Sequence, residues 1–226
     1  MPNTLLLQLV GPMQAWGHRS RFDNRDTSLE PTRSGVVGLL CAALGWDRET
    51  DLAPFAPDKM RMGVRVEHAG RVALDYHTAQ REGAGNATVS SRYYLADARF
   101  LVGLEGELAW LQTLQRALDD PKWPLFLGRK AFPTALPVAR GIEETALESA
   151  LQGAPWLAMT PREWQRARNG LAPLKMVLET PNPREGEAIT DVPRDFERRR
   201  YGVRYLWFSS VQITPERVRL WSEVAT

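Results

Sequence analysis

The segment Gly11-Pro12-Met13-Gln14-Ala15-Trp16-Gly17, followed by Arg19, Arg21, Arg25 and Arg33 and running into Thr32-Arg33-Ser34-Gly35-Val36-Val37-Gly38-Leu39-Leu40, holds residue types that grip phosphates and stack bases. Thr4 to Val10 ahead of it carries an apolar strand signal. Behind it, Ser34 reads as the N-cap of a Gly- and Leu-rich helix ending at Gly45. A helix start offers unpaired backbone N–H groups to anions, here those of Ser34 and Gly35. Arg25 and Arg33 add charge, Gln14 a hydrogen-bonding edge, and Trp16, in a loop bounded by glycines, a ring on which a base can stack. The chemistry is that of RNA contact. The same loop carries Asp23, Asp26 and Glu30, so its arginines equally suit surface ion pairs.

Two further clusters have the same character. In Leu127-Gly128-Arg129-Lys130, glycine lets a backbone approach a phosphate closely while two cations flank it, although an ordinary surface turn has the same composition. Pro193-Arg194-Asp195-Phe196-Glu197-Arg198-Arg199-Arg200-Tyr201 interleaves cations with aromatics, as a strand-binding surface does, with Arg204 extending the positive end. Its bland reading is a solvated charge run containing Asp195 and Glu197. Arg194 and Arg199 are the candidate contacts in this run.

Catalytic equipment is sparse. No HExxH, Walker A or GxSxG pattern occurs, and one cysteine with three scattered histidines lacks metal-ligand spacing, so neither a metal nor a cofactor is expected. Metal-independent RNA cleavage needs a general acid and base beside a cation. His18 and His77 are the imidazoles placed for that role; His77, after Asp75-Tyr76 on a strand, is otherwise a candidate RNA contact or a structural residue.

The chain of 226 residues has a net charge of only +2, so nucleic-acid affinity must come from local clustering rather than from a global field. Of its 29 basic residues all but Lys59, Lys122, Lys130 and Lys175 are arginine, whose planar fork suits phosphates and base stacking. The lone Cys41, in the first helix, excludes an internal disulfide and reads as core. No apolar run approaches the roughly 18 residues of a membrane span, and the amino terminus lacks the basic region of a signal peptide, so a cytoplasmic protein is expected.

These clusters must be positioned by a recognisable run of elements. Met60 to Glu67 and Arg71 to His77 read as a hairpin. Thr78 to Ser91, with the polar glycine-rich tip Arg81 to Ala87, reads as an arm that leaves the sheet and returns. Ala98 to Leu104 is a strand, Glu107 to Leu118 has helical apolar spacing stopped by Pro121, and Leu136 to Ala139 is the candidate closing strand. The order predicts an α+β fold, a ferredoxin-like βαββαβ unit shared with the RRM. Residues 1–141 form this domain, with the arm inserted at about 78–91. Residues 142–226, with strand signals at Leu174 to Glu179, Val203 to Ile213 and Arg217 to Trp221, form a smaller β-rich C-terminal region. Trp110 and Trp207 read as core.

The strings GPMQAWG, PTRSGVVGLL, DYHT, LFLGRKAFP and PRDFERR, in this order from Gly11 to Arg199, resemble the CasD family of type I-E CRISPR Cascade subunits. The resemblance implies a repeat-associated RAMP protein with a ferredoxin-like RNA-binding fold that caps the 5′ handle of crRNA. It implies partners in CasA and CasC, with CasB and CasE in the same complex, and target DNA met only indirectly. The segment 78–91 then resembles the family's thumb. A related type I-C subfamily cleaves precursor RNA with tyrosine, lysine and histidine. This chain has Ser28-Leu29-Glu30 where that tyrosine would lie and no adjacent Lys-His pair. The resemblance therefore implies a non-catalytic subunit, the alternative being a metal-independent endoribonuclease acting on repeat RNA.

Overall fold

The computed structural model describes residues 1–17, 24–80 and 88–224. In chain order its elements are β1 (Asn3–Val10), β2 (Met13–Gln14), β3 (Asn24–Arg25), α1 (Arg33–Leu44), a 3-10 turn (Ala53–Phe55), β4 (Arg61–His68), β5 (Arg71–Ala79), β6 (Thr88–Ala96), β7 (Arg99–Gly106), α2 (Leu108–Asp119) and β8 (Ala139–Glu143). They continue with α3 (Leu147–Gly153), β9 (Trp156–Ala158), α4 (Pro161–Arg168), β10 (Leu174–Thr180), β11 (Glu187–Asp195), β12 (Arg200–Val211), a second 3-10 turn (Pro215–Arg217), β13 (Val218–Leu220) and α5 (Trp221–Val224). The fold is mixed α and β. No helix among the described residues is long and apolar enough to cross a membrane.

Seven strands make one sheet in the order β11-β12-β10-β4-β7-β1-β8, with every neighbouring pair antiparallel. β1 lies inside it and is buried on both faces: Leu5, Leu7 and Leu9 join the large core with α1 and α2, while Leu6 joins a second cluster under α3. The strands β10, β11 and β12 extend this same sheet, and the boundary expected near residue 141 falls inside β8. The expected hairpin of Met60–Glu67 with Arg71–His77 does not form. β4 pairs with β7 and β10, whereas β5 pairs with β6 along its whole length, Arg71 opposite Ala96 to Ala79 opposite Thr88. The arm therefore starts at Arg71 rather than near Thr78, and the strand expected at Leu136–Ala139 runs over Ala139–Glu143. The tip, residues 81–87, lies outside the described residues.

The two central glycines Gly63 and Gly103 face each other across β4 and β7. A Cβ on Gly63 would lie 2.9 Å from Leu151 Cδ1 and 2.6 Å from Leu178 Cδ2, and one on Gly103 would lie 2.7 Å from Leu147 Cδ1. Bare backbone here lets α3 seat directly on the sheet.

On the opposite side, four charged side chains meet below the start of α1. Arg33 Nη1 donates to both carboxylate oxygens of Glu179, at 2.6 and 2.7 Å, and Arg204 Nη1 donates to Glu179 Oε1 at 2.9 Å. Arg204 also grips Asp191 in bidentate fashion, at 2.6 and 2.7 Å. Asp191 accepts the backbone N–H of Arg33 at 2.7 Å, and Glu179 that of Met62 at 2.8 Å. Arg33 Nη2 donates to the carbonyls of Phe55 and Met60. All four residues are buried, and two cations balance two anions. Burial alone would lower the Arg204 guanidinium, yet Asp191 and Glu179 outweigh it and hold it above its ordinary value.

Cys41, on the inner side of α1, is buried as expected, and burial pushes its thiol up to about 12. Because this lies above the unfolded value of about 8.5, its contribution to stability is complete below that value and disappears as pH rises toward 12. A thiol reagent at mildly alkaline pH should label Cys41 only on unfolding; labelling at the rate of a free thiol would contradict the packing of α1.

Glu179→Gln leaves two buried guanidinium groups facing a neutral amide and should cost about 3–5 kcal/mol, since breaking a buried pair strands its partner's charge. Urea unfolding measures it, and a loss below about 1 kcal/mol would mean that water reaches this site.

Candidate nucleic-acid interface

At the start of α1 the N-cap is Thr32 rather than Ser34: its Oγ1 accepts the Gly35 N–H at 3.3 Å, and helical geometry begins at Arg33. The Arg33 amide is taken by Asp191 and the Gly35 amide by Thr32. Half-buried Ser34 turns its hydroxyl toward Thr32 Oγ1 at 3.5 Å. The anion that the helix terminus favours is thus supplied by the chain itself. This corrects the expectation that Arg33, with the Gly35 amide, holds a phosphate. The Arg33 side chain is wholly buried and its bonds go to Glu179 and two backbone carbonyls.

Trp16 and Gln14 are likewise interior. Trp16 is 1% exposed, and a Cβ on Gly35 would lie 2.7 Å from its ring. Its Nε1 donates to Gln14 Oε1 at 3.1 Å, while Gln14 Nε2 donates to the carbonyls of Leu9 and Ala98 at 3.1 and 2.7 Å. The expected base-stacking ring therefore packs the loop onto α1. A loop tryptophan flanked by glycine reads as exposed because sequence alone does not show what covers it.

One group of cations that reach the surface gathers on the arm, midway along the β5–β6 ladder. β6 is flanked by β5 on one side and by β2 and β3 on the other, which puts Asp75, Arg92 and Arg25 in one cross-strand row. Arg129 joins them, its Nη2 donating to the carbonyls of Tyr93 at 2.8 Å and Arg25 at 3.4 Å, with its guanidinium 5.5 Å from the Phe132 ring centroid. Burial first, then repulsion from Arg92 and Arg25, lowers the Arg129 guanidinium from its ordinary value against the pull of Asp75. Among the described residues whose charges act on Arg129, two further arginines stand against one carboxylate, a positive balance that a phosphate would relieve. Lys130 is exposed beside them. Arg92 was not singled out by sequence reasoning; its signal was the run Arg92-Tyr93-Tyr94 next to the arm tip.

Gly128 has a different job from the one expected. Its φ is +87°, and a Cβ there would lie 1.7 Å from the Ala15 carbonyl oxygen, so the close approach is made by the protein's own backbone. His77 sits exposed on β5 with Nδ1 3.7 Å from Asp75 Oδ2. His18 lies outside the described residues.

Arg194 and Arg199 are exposed at the β11–β12 turn, on the large sheet rather than on the arm. Arg199 takes φ +53° in that turn, and Arg194 Nε lies where a Cβ on Gly202 would come within 2.8 Å. Arg204, read as the end of this positive run, is instead buried in the four-charge network. The sheet face that an RRM uses for bases is covered here by α3, whose Leu147 and Leu151 pack with Leu6, Leu101, Met176 and Leu178.

Both corrections are testable by stability. Trp16→Ala should cost about 3–5 kcal/mol, as large-to-small core changes do, and Gly128→Ala about 3 kcal/mol from a left-handed backbone and a carbonyl clash. Near-wild-type denaturation midpoints would put either residue back on the surface.

The comparisons with known proteins agree with this architecture. The family model described as CRISPR-associated protein (Cas_Cas5) matches residues 4–206. The CRISPR system Cascade subunit CasD of Escherichia coli (strain K12) is 34% identical, over an alignment covering 62% of this chain and 71% of the relative. A solved structure described as a Cas protein is 41% identical with a TM-score of 0.76, covering 95% of this chain and 97% of that one. A chain of a CRISPR RNA-guided surveillance complex is 29% identical with a TM-score of 0.78, covering 95% and 92%. A match running from the first strand of the sheet into β12 takes in the α1 network, the arm and the β11–β12 turn, and the chain belongs to the CRISPR-associated protein (Cas_Cas5) family.

Proposed function

We propose that this chain is a non-catalytic subunit of a Cascade-type CRISPR surveillance complex that binds and caps the 5′ handle of crRNA. The observation that carries the reading is the cluster of Arg25, Arg92 and Arg129, with Lys130 beside it, where β3 meets the middle of an arm that lies outside the large sheet. In this reading β1-α1-β4 and β7-α2-β8, in the spatial order β4-β7-β1-β8, are a ferredoxin-like unit. The arm replaces the short connection between its second and third strands. The relatives fit it: one is named as a Cascade subunit, another belongs to an RNA-guided complex. Arg194 and Arg199 offer a second, separate contact to the same RNA or to a neighbouring subunit.

The contact between His77 and Asp75 favours one competing reading, a metal-independent endoribonuclease in which the carboxylate orients the imidazole as general base.

Filter binding with labelled crRNA carrying its repeat handle tests the proposal. Arg92→Gln with Arg129→Gln should weaken binding by roughly 1–3 kcal/mol per phosphate contact removed. The slope of log affinity against log salt should become shallower by about 0.7 for each. Unchanged affinity and slope would refute the site on the arm. Incubation of repeat RNA with the chain in EDTA should leave it intact; discrete cleavage abolished by His77→Ala would establish the enzyme instead.

A further inference from the structure

A second basic surface lies on the module formed by β9, α4, the second 3-10 turn and β13, where β13 pairs with β9 in parallel and α4 packs on both. Residues 156–168 and 213–223 hold Arg162, Arg166, Arg168, Arg217 and Arg219 against three glutamates. Glu163 is committed to Arg99, Glu216 to its own backbone N–H and Thr214, and Glu223 to the Leu220 N–H. All five arginines are exposed, and the salt bridges of the described residues include none of the five, Arg168 acting on Glu216 only through its field. Arg162 and Arg166, four residues apart, lie one above the other on the outer side of α4, opposite buried Ala167. Three of the five are held in place without losing their charge: Arg168 lies 4.7 Å from the centroid of the Trp164 ring, Arg217 donates to the Gln152 carbonyl at 2.8 Å, and Arg219 donates to the Glu216 and Val218 carbonyls.

We infer that this module binds the phosphodiester backbone of duplex nucleic acid, at a site separate from the arginine cluster on the arm. Two features select this partner. A protein interface is centred on buried apolar or aromatic anchors, and a single-strand site on exposed aromatic platforms. The described side chains of this module include no exposed large apolar residue, and Trp164 is capped by Arg168. A duplex keeps its bases stacked inside and presents only phosphates, for which fixed guanidinium forks suffice. Binding is then independent of sequence and governed by salt.

The test is fluorescence anisotropy of the full chain with a DNA duplex of about two helical turns and with one of its strands alone. Wild type should bind the duplex with a log–log salt slope of about −0.9 per phosphate contact. Arg162→Gln with Arg166→Gln should weaken duplex binding at least tenfold at low salt and make the slope shallower by about 2, leaving crRNA handle binding and the thermal midpoint unchanged. Arg92→Gln with Arg129→Gln should do the reverse, so that failure of one site is distinguishable from failure of the other. No duplex binding by wild type, duplex binding untouched by the α4 substitutions, or equal loss of single-strand binding would overturn the inference. So would complex assembly lost by the α4 variant with duplex affinity intact, which would assign the surface to a protein partner.

Discussion

The ion network of Arg33, Glu179, Arg204 and Asp191 is the constraint on which the rest of this structure depends. Four buried charges forfeit hydration worth several kcal/mol each, so they persist only where geometry satisfies nearly every donor and acceptor. Here the bidentate contact of Arg204 with Asp191, the bonds from Arg33 Nη1 to both Glu179 oxygens and the backbone N–H groups of Arg33 and Met62 provide that geometry. Its consequence is topological. The first helix and the approach to β4 are held at one point to the strands β10, β11 and β12, more than a hundred residues further along the chain, and these three strands become part of the same sheet as β1, β4, β7 and β8.

The same network decides where a ligand can bind. A helix N-terminus normally attracts external anions, but this one already has a carboxylate from β11. The sheet face opposite α1 and α2 is equally closed, because α3 rests on Gly63 and Gly103. With both faces used for packing, recognition moves to what projects from the sheet: the β5–β6 arm with its arginines, the β11–β12 turn and the α4 module.

Arginine accordingly serves two opposite purposes in this chain. Arg33, Arg65 and Arg204 are buried and bonded to carboxylates and carbonyls, although Arg33 Nε has no partner. Arg129, penalised first by burial, feels the repulsion of Arg92 and Arg25 against the pull of Asp75, and its guanidinium is held below its ordinary value. The difference between a structural and a ligand-binding arginine is the local charge balance, which depends on the company each keeps after folding.

Local elements and composition were legible in the sequence. Apolar runs marked β1 and β10, helical spacing marked α2, a Gly- and Leu-rich run marked α1, and Pro and Gly marked their ends, because these depend on neighbours a few residues away. The basic cluster at Arg129-Lys130 and the existence of an arm were visible for the same reason, as was the family through the order of five short strings. Tertiary structure decided the remainder. It paired β5 with β6 instead of β4, since a period-two pattern does not name its partner strand. It turned Trp16, Gln14 and Arg33 inward, although their loop is polar and glycine-bounded, because the groups that bury them, Gly35, Ala98, Glu179 and Asp191, are distant in sequence. And it gathered Arg25, Arg92 and Arg129 from three separate segments into one patch, a juxtaposition that exists only once β3 and the 127–132 turn have closed around β6.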